Sequence, residues 1–89
     1  MSYCVKCIVK GRVQGVFYRA FTQDKAQQLH LKGHAYNMNN GDVEVVVCGK
    51  EDKVKQLQEW LWKGPDYAVV ESVDCEVIEG DVEGGFVVG

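Results

Sequence analysis

The sequence lacks the features that define several protein classes. It has 89 residues, a single proline and a formal charge of −3, and no stretch approaches the roughly 18 apolar residues of a membrane helix. Met1 to Lys10 alternates polar and apolar residues instead of forming the apolar core of a signal peptide. Proteins that coat nucleic acid normally carry a basic excess, which is missing here. We therefore expect one domain over residues 1–89, located in the cytoplasm, without a membrane or nucleic-acid partner.

Four cysteines are present, but they are too far apart and too few to indicate a secreted disulfide scaffold. Cys4 and Cys7 have the CxxC spacing of redox and zinc sites. On a β-strand, an offset of three residues sends two side chains to opposite faces. The pair is therefore not predicted to act as a CxxC site.

Alternating and helical patterns predict a β-α-β-β-α-β order with a short fifth strand. The predicted elements are strand Tyr3–Lys10, helix Tyr18–Leu31, strands Gly33–Met38 and Asp42–Cys48, helix Glu51–Lys63, strand Ala68–Ile78 and strand Phe86–Val88. This order favours an α+β domain of the ferredoxin-like split βαβ type, with a mixed, antiparallel-containing sheet and both helices on one face. Residues 79–85, acidic and rich in glycine, are expected to form a mobile turn.

The alternation also predicts which side chains face the core. Val43, Val45 and Val47 are expected inward on the third strand, and Val73, Cys75 and Val77 on the fourth. Cys7 shares the inward side of the first strand, so Cys7 and Cys75 are interpreted as small core residues.

Two parts of the sequence are predicted to meet at one edge of the sheet. In a right-handed β-α-β unit the first two strands are parallel and end at the same edge. The loop after the first strand contains Gly11 and Gly15 and leads into a helix with Arg19 near its start, while Asn37 lies near the end of the second strand. Such a loop can direct main-chain N–H groups at an anion, although glycines between a strand and a helix often only make the turn.

The same residues resemble the signatures of the acylphosphatase family. Residues 11–19 read GRVQGVFYR, similar to the family pattern GxVQGVxFR. Residues 33–37 read GHAYN and residues 40–44 read NGDVE, similar to the second pattern, G-(W/Y)-(V/A)-x-N with a downstream xGxVE. The chain length and order of elements also match the family.

The resemblance implies an enzyme that hydrolyses the carboxyl–phosphate bond of a small acyl phosphate, with no metal and no cofactor. Arg19 would bind the phosphate and Asn37 would position the attacking water. The phosphate-binding loop implied by the resemblance comprises Val13, Gln14, Gly15, Val16, Phe17 and Tyr18. The small size and the lack of an evident apolar patch favour a monomer.

Two residues depart from the family pattern. Tyr18 replaces the usual phenylalanine, and its ring is expected to pack under the loop. His34 replaces a Trp or Tyr, and it is either a surface histidine on a strand or a residue that tunes the pH dependence of activity. Neither replacement affects Arg19 or Asn37, so activity is still expected.

Other functions remain open at this point. The domain could be a regulatory or accessory copy, since similar domains occur within hydrogenase maturation factors. A nucleic-acid-binding module with the same fold outline would need exposed aromatic side chains on its central strands. The outward positions there are Lys6, Ile8, Glu44 and Val46, which argues against it.

Cys4 and Cys48 are either free thiols or joined by a disulfide. The first and third strands are expected to be antiparallel neighbours, with both sulfurs on the outer face and directly opposed. The bond would stabilise the fold by roughly 4 kcal/mol in the chain-entropy model. A reducing cytoplasm opposes its formation.

Overall fold

The computed structural model describes residues 2–80, 82 and 84–89 and confirms the predicted fold class. Its elements are β1 (Tyr3–Arg12), α1 (Tyr18–Gln28), β2 (Lys32–Asn37), β3 (Val43–Gly49), α2 (Glu51–Lys63), β4 (Val69–Ile78) and β5 (Phe86–Val88). The predicted turn over residues 79–85 lies partly outside the described residues. In the part of the chain described, neither helix is long and apolar enough to cross a membrane.

The five strands form one mixed sheet in the order β4-β1-β3-β2-β5. β1 and β2 both pair antiparallel with β3, so they run parallel to each other and end at one edge of the sheet. β5 runs parallel to β2 and ends there too, whereas β4 begins there, since Arg12 is paired with Val69. We call this the loop edge, because the loop between β1 and α1 leaves the sheet at it.

The core lies between one face of the sheet and both helices. The inward valines of β3 (Val43, Val45 and Val47) are fully buried, as predicted. α2 contributes the buried stripe Val54, Leu57 and Leu61, and α1 contributes Tyr18, Thr22 and Ala26. Full burial of an aliphatic side chain stabilises a fold by about 1.5–3 kcal/mol, so these contacts hold the helices on the sheet.

Two details differ from the sequence-based expectations. α1 ends at Gln28 and not at Leu31, because His30 adopts a left-handed conformation (φ 58°) that turns Leu31 into the core. On β4, Val73 is buried, but Cys75 is exposed and Val77 is 66% exposed. Cys75 and Val77 are not buried in the core as expected, since β4 is an edge strand and only Val70 and Val73, in its first half, pack against the core.

Both ends of each disulfide lie at directly opposed positions on neighbouring strands. Cys4 is bonded to Cys48 across β1 and β3, and Cys7 is bonded to Cys75 across β1 and β4, with Cα–Cα distances of 4.1 and 4.0 Å. Cys7 is buried in the core, as interpreted, but it is bonded to Cys75 and is not a free thiol. The interpretation of Cys75 as a core residue is wrong, because Cys75 is exposed. β1 is cross-linked to both of its neighbours.

Candidate active site

The loop between β1 and α1 has an unusual main-chain conformation. Gly15 (φ 75°) and Phe17 (φ 63°) are both left-handed. Glycine accepts this conformation without steric cost, whereas it is uncommon for phenylalanine and costs energy that functional sites tend to retain. Left-handed residues alternating with other conformations turn successive N–H groups toward one point, which forms an anion-binding concavity.

The N–H groups of this loop are free to bind a ligand. Within residues 2–80, 82 and 84–89, the main-chain N–H groups of residues 14–19 donate to no protein acceptor. Residues at the start of a helix have no intrahelical acceptor, and the partial positive charge of the helix N-terminus favours an anion there. A cavity of about 280 Å³ adjoins them, lined by Val13, Gly15, Phe17, Tyr18, Arg19, Ala20 and Val88.

Arg19 brings a permanent positive charge to this cavity. It is the second residue of α1 and is half-buried, and its Nη1 donates a hydrogen bond to the main-chain oxygen of Gly89. Gly89 is itself held beside β2, because its N–H donates to the Ala35 oxygen at 3.2 Å. A guanidinium has five N–H donors, so the contact with Gly89 leaves others for phosphate oxygens.

Asn37 is the last residue of β2 and is exposed at the loop edge. Alternation along β2 puts it on the same face of the sheet as the buried Ala35, which is the face that the helices cover. Arg19 is linked to the same edge by its hydrogen bond to Gly89, because the N–H of Gly89 is bonded to the Ala35 oxygen on β2. The structure thus brings Arg19 and loop residues into one cavity and places Asn37 at the same edge, but not in the cavity lining.

The side chain of Gln14 connects the loop to the turn that follows Asn37, a role that the sequence did not reveal. Its Nε2 donates to the main-chain oxygens of Met38 and Asp42, at 2.8 and 2.9 Å. Met38 follows Asn37 directly, and its N–H donates to the main-chain oxygen of Asp42 at 2.8 Å. Two hydrogen bonds from one amide therefore fix the spacing between the loop and Asn37. In the sequence, Gln14 is only one position of the GRVQGVFYR motif, and nothing there indicates its hydrogen bonds.

The ring of Tyr18 is buried against the C-terminal part of α2, with 5.9 Å between its centroid and that of Trp60, and its hydroxyl has a structural partner. The side chain is buried, which raises the pKa of the phenol, and the hydroxyl donates to the Leu61 oxygen at 2.7 Å. In a regular helix the Leu61 oxygen would accept from residue 65, but Pro65 has no N–H. Tyr18 therefore supplies the missing donor and joins the start of α1 to the end of α2.

His34 lies on the opposite face of the sheet from the site. Its ring stacks on Tyr36, with 4.1 Å between centroids, and its Nε2 is 2.8 Å from Glu44 Oε2. This hydrogen bond, helped by the charge of Lys6, lowers the pKa of Glu44. These contacts fit the surface-histidine interpretation, because they lie on the face of the sheet that the helices do not cover.

No metal cluster is found in the described part of the chain: residues 2–80, 82 and 84–89 contain no group of three or more His, Cys, Asp or Glu side chains arranged to hold a metal ion.

The fold and the site together define an α+β domain whose first strand ends in a loop that directs unbonded main-chain N–H groups and Arg19 to one edge of the described part of the sheet. The family model described as "Acylphosphatase" matches residues 5–88 of the chain. Since the match covers nearly the whole sequence, the chain belongs to the acylphosphatase family, whose members are hydrolases acting on acyl phosphates.

Named relatives agree with this assignment. An acylphosphatase of Halorhodospira halophila is 48% identical over 84 residues, covering 94% of this chain and 91% of the relative. The structure of an acylphosphatase from Coxiella burnetii superimposes with a TM-score of 0.94 at 42% identity, covering 99% of this chain and 93% of the other. The crystal structure of acylphosphatase from Bacillus subtilis gives 0.90 at 30% identity, covering 100% and 99%.

Proposed function

We propose that the protein hydrolyses the carboxyl–phosphate bond of small acyl phosphates without a metal ion. Arg19 and the N–H groups of residues 14–19 hold the phosphate, and Asn37 positions the attacking water. The observation that supports this proposal best is that the main-chain N–H groups of residues 14–19 have no acceptor among the described residues, while Gly15, Phe17, Tyr18 and Arg19 line one cavity. Both kinds of donor favour a multiply charged oxyanion.

To hydrolyse an acyl phosphate, the protein needs mainly to position the substrate and water and to stabilise negative charge on the phosphoryl oxygens. The carboxylate that leaves an acyl phosphate is a good leaving group and needs no strong general acid. In the loose transition state of phosphoryl transfer, negative charge spreads over the three equatorial oxygens of the phosphoryl group. Donors already aimed at those oxygens stabilise that state without reorganisation.

In this proposal Asn37 orients the water rather than deprotonating it. An amide side chain offers both a donor and an acceptor but does not ionise at neutral pH. The proton of the attacking water passes to a phosphate oxygen of the substrate. The two hydrogen bonds of Gln14 keep the turn after Asn37 at a fixed distance from the loop that holds the phosphate.

The test is the hydrolysis of acetyl and benzoyl phosphate in the presence of a chelator. Arg19→Ala and Asn37→Ala should each lower kcat/KM by about 10²–10³, the usual effect of removing one preorganised group. Arg12→Ala and Asn39→Ala are matched controls, because each removes a nearby exposed side chain of the same type. Circular dichroism verifies folding. Chelator-sensitive wild-type activity, or full activity of Arg19→Ala, would refute the corresponding part of the proposal.

A cytoplasmic location and a monomeric state belong to the same proposal. A net charge of −3 on a chain of 89 residues supports the monomer, since net charge keeps small proteins apart. Light scattering after size-exclusion chromatography tests the oligomeric state, and cell fractionation tests the location.

A further inference from the structure

An aromatic groove lies beside the phosphate-binding loop and has no role in the chemistry described above. Its volume is about 430 Å³, and it is lined by Phe17, Phe21, Trp60, Lys63, Gly64, Pro65, Asp66 and Tyr67. Three of these rings are well exposed: Phe17 (71%), Phe21 (48%) and Tyr67 (77%). A contiguous exposed apolar patch of this kind commonly marks a binding site.

The groove is continuous with the phosphate site through Phe17. This side chain lines both the aromatic groove and the cavity that contains Arg19, and its own N–H belongs to the loop. Phe17 and Tyr67 also line a second groove with Arg12 and Gln14. Only Phe17 therefore separates the aromatic groove from the cavity in which the phosphate of a substrate would bind, so the rest of the substrate would lie close to the groove.

The in-line geometry of phosphoryl transfer selects the direction in which the acyl group leaves. The attacking and leaving oxygens lie on opposite sides of phosphorus. Asn37, which positions the water in the proposed function, is on β2, and the groove is next to the start of β4. Those strands are three spacings apart in the sheet, about 14 Å. A substrate whose water comes from the Asn37 side directs its acyl group toward the groove.

The charges of the groove favour an uncharged group. Lys63 and Asp66 carry opposite charges and both line it. Tyr67 sits in a turn closed by a hydrogen bond from the Ala68 N–H to the Pro65 oxygen at 3.0 Å. The ring is thus presented on a defined main-chain segment, and Phe21 is presented by α1.

We propose that this groove binds the acyl group of the substrate and makes the enzyme prefer planar, apolar acyl phosphates over acetyl phosphate. The proposal rests on the proposed function, because it assumes that the phosphate occupies the loop. Phe17, Phe21 and Tyr67 are then specificity-determining residues, since they contact the acyl group and not the reacting atoms.

The first experiment compares kcat/KM for benzoyl and acetyl phosphate. The Tyr67→Ala, Phe21→Ala double variant should lose roughly fivefold or more of kcat/KM for benzoyl phosphate, as expected for removing aromatic contacts. For acetyl phosphate it should stay within about twofold, because the phosphate contacts are intact. Tyr67→Phe retains the ring and should retain the preference. Trp62→Ala removes an exposed aromatic outside the groove and is the matched control.

The second experiment uses probes that cannot be hydrolysed. Phenacylphosphonate and acetonylphosphonate carry a methylene in place of the bridging oxygen, and calorimetry measures their binding. The wild type should bind the phenacyl compound more tightly, and the double variant should lose that difference. An unchanged ratio of affinities in the double variant, with hydrolysis intact, would overturn this inference while the proposed function stands. If the wild type hydrolyses neither benzoyl nor acetyl phosphate, both the proposed function and this inference are wrong. If the double variant hydrolyses benzoyl and acetyl phosphate normally but hydrolyses an aspartyl-phosphate peptide more slowly, the groove binds a peptide chain and the inference is wrong.

Discussion

The two ends of β1 are held in opposite ways. From Cys4 to Val9 the strand is paired on both sides, with β3 and β4, and it is cross-linked to each by a disulfide. At its other end the register shifts between Lys10 and Gly11, and the chain then enters a loop whose N–H groups have no protein acceptor within the described residues. One end uses its polar groups in the sheet, whereas the N–H groups of the loop have no protein acceptor within the described residues.

The difference shows how a small protein can keep unpaired polar groups in a fixed place. A left-handed phenylalanine is unfavourable, so its surroundings must hold it in that conformation. The hydrogen bonds of Gln14 hold the loop against the turn after Asn37, and the disulfide-bonded part of β1 fixes the base of the loop. The hydroxyl of Tyr18 joins the start of α1 to the end of α2. Removing any one of these supports should therefore change either the stability or the activity of the protein.

Removing a disulfide should have the largest effect on stability. The loops closed by Cys4–Cys48 and Cys7–Cys75 span 44 and 68 residues, and each bond should contribute about 4 kcal/mol in the chain-entropy model. We expect Cys4→Ala, Cys48→Ala and Cys7→Ala, Cys75→Ala double variants to unfold at lower urea concentration, with kcat unchanged where they remain folded. Urea unfolding with parallel assays measures both quantities.

The two disulfides also differ in exposure, which provides an internal control. Cys4 and Cys48 are buried, whereas Cys75 is exposed. A mild thiol reductant should open Cys7–Cys75 first, as detected by alkylation and mass spectrometry, because thiol–disulfide exchange requires access to a sulfur. Four free thiols in denatured protein prepared without reductant would contradict the presence of both bonds.

Gln14→Ala should have the next largest effect, and it should act on activity. Losing both hydrogen bonds frees the loop from the turn after Asn37, so we expect kcat to fall about tenfold to a hundredfold, as small misplacements in active sites do. Gln23→Ala is the matched control, since Gln23 Nε2 also donates to a main-chain oxygen, that of Phe86 at 2.8 Å. A variant of Gln14 with full kcat would show that the loop is held by other contacts.

Particular residues show what the sequence could predict and where it failed. The alternation of β3 identified its buried valines correctly, because side-chain direction along a strand has a period of two. The same rule gave the correct face for Cys75 but the wrong burial, since a pattern does not show which strand is at the edge of the sheet. The left-handed Phe17 had no sequence signal at all, because phenylalanine is a poor residue for that conformation. Its conformation depends on contacts that only the folded chain provides.

Tyr18→Phe should have the smallest of these effects, and only on stability. The variant keeps the buried ring but removes the donor to the Leu61 oxygen, which Pro65 cannot replace. One hydrogen bond of this kind contributes about 1 kcal/mol, so the midpoint of urea unfolding should fall while kcat/KM stays within twofold. Tyr67→Phe, which removes an exposed hydroxyl, should leave the midpoint unchanged. If Tyr18→Phe instead lowers kcat without lowering stability, the hydroxyl orders the loop itself, and the two ends of β1 are less separate than the structure indicates.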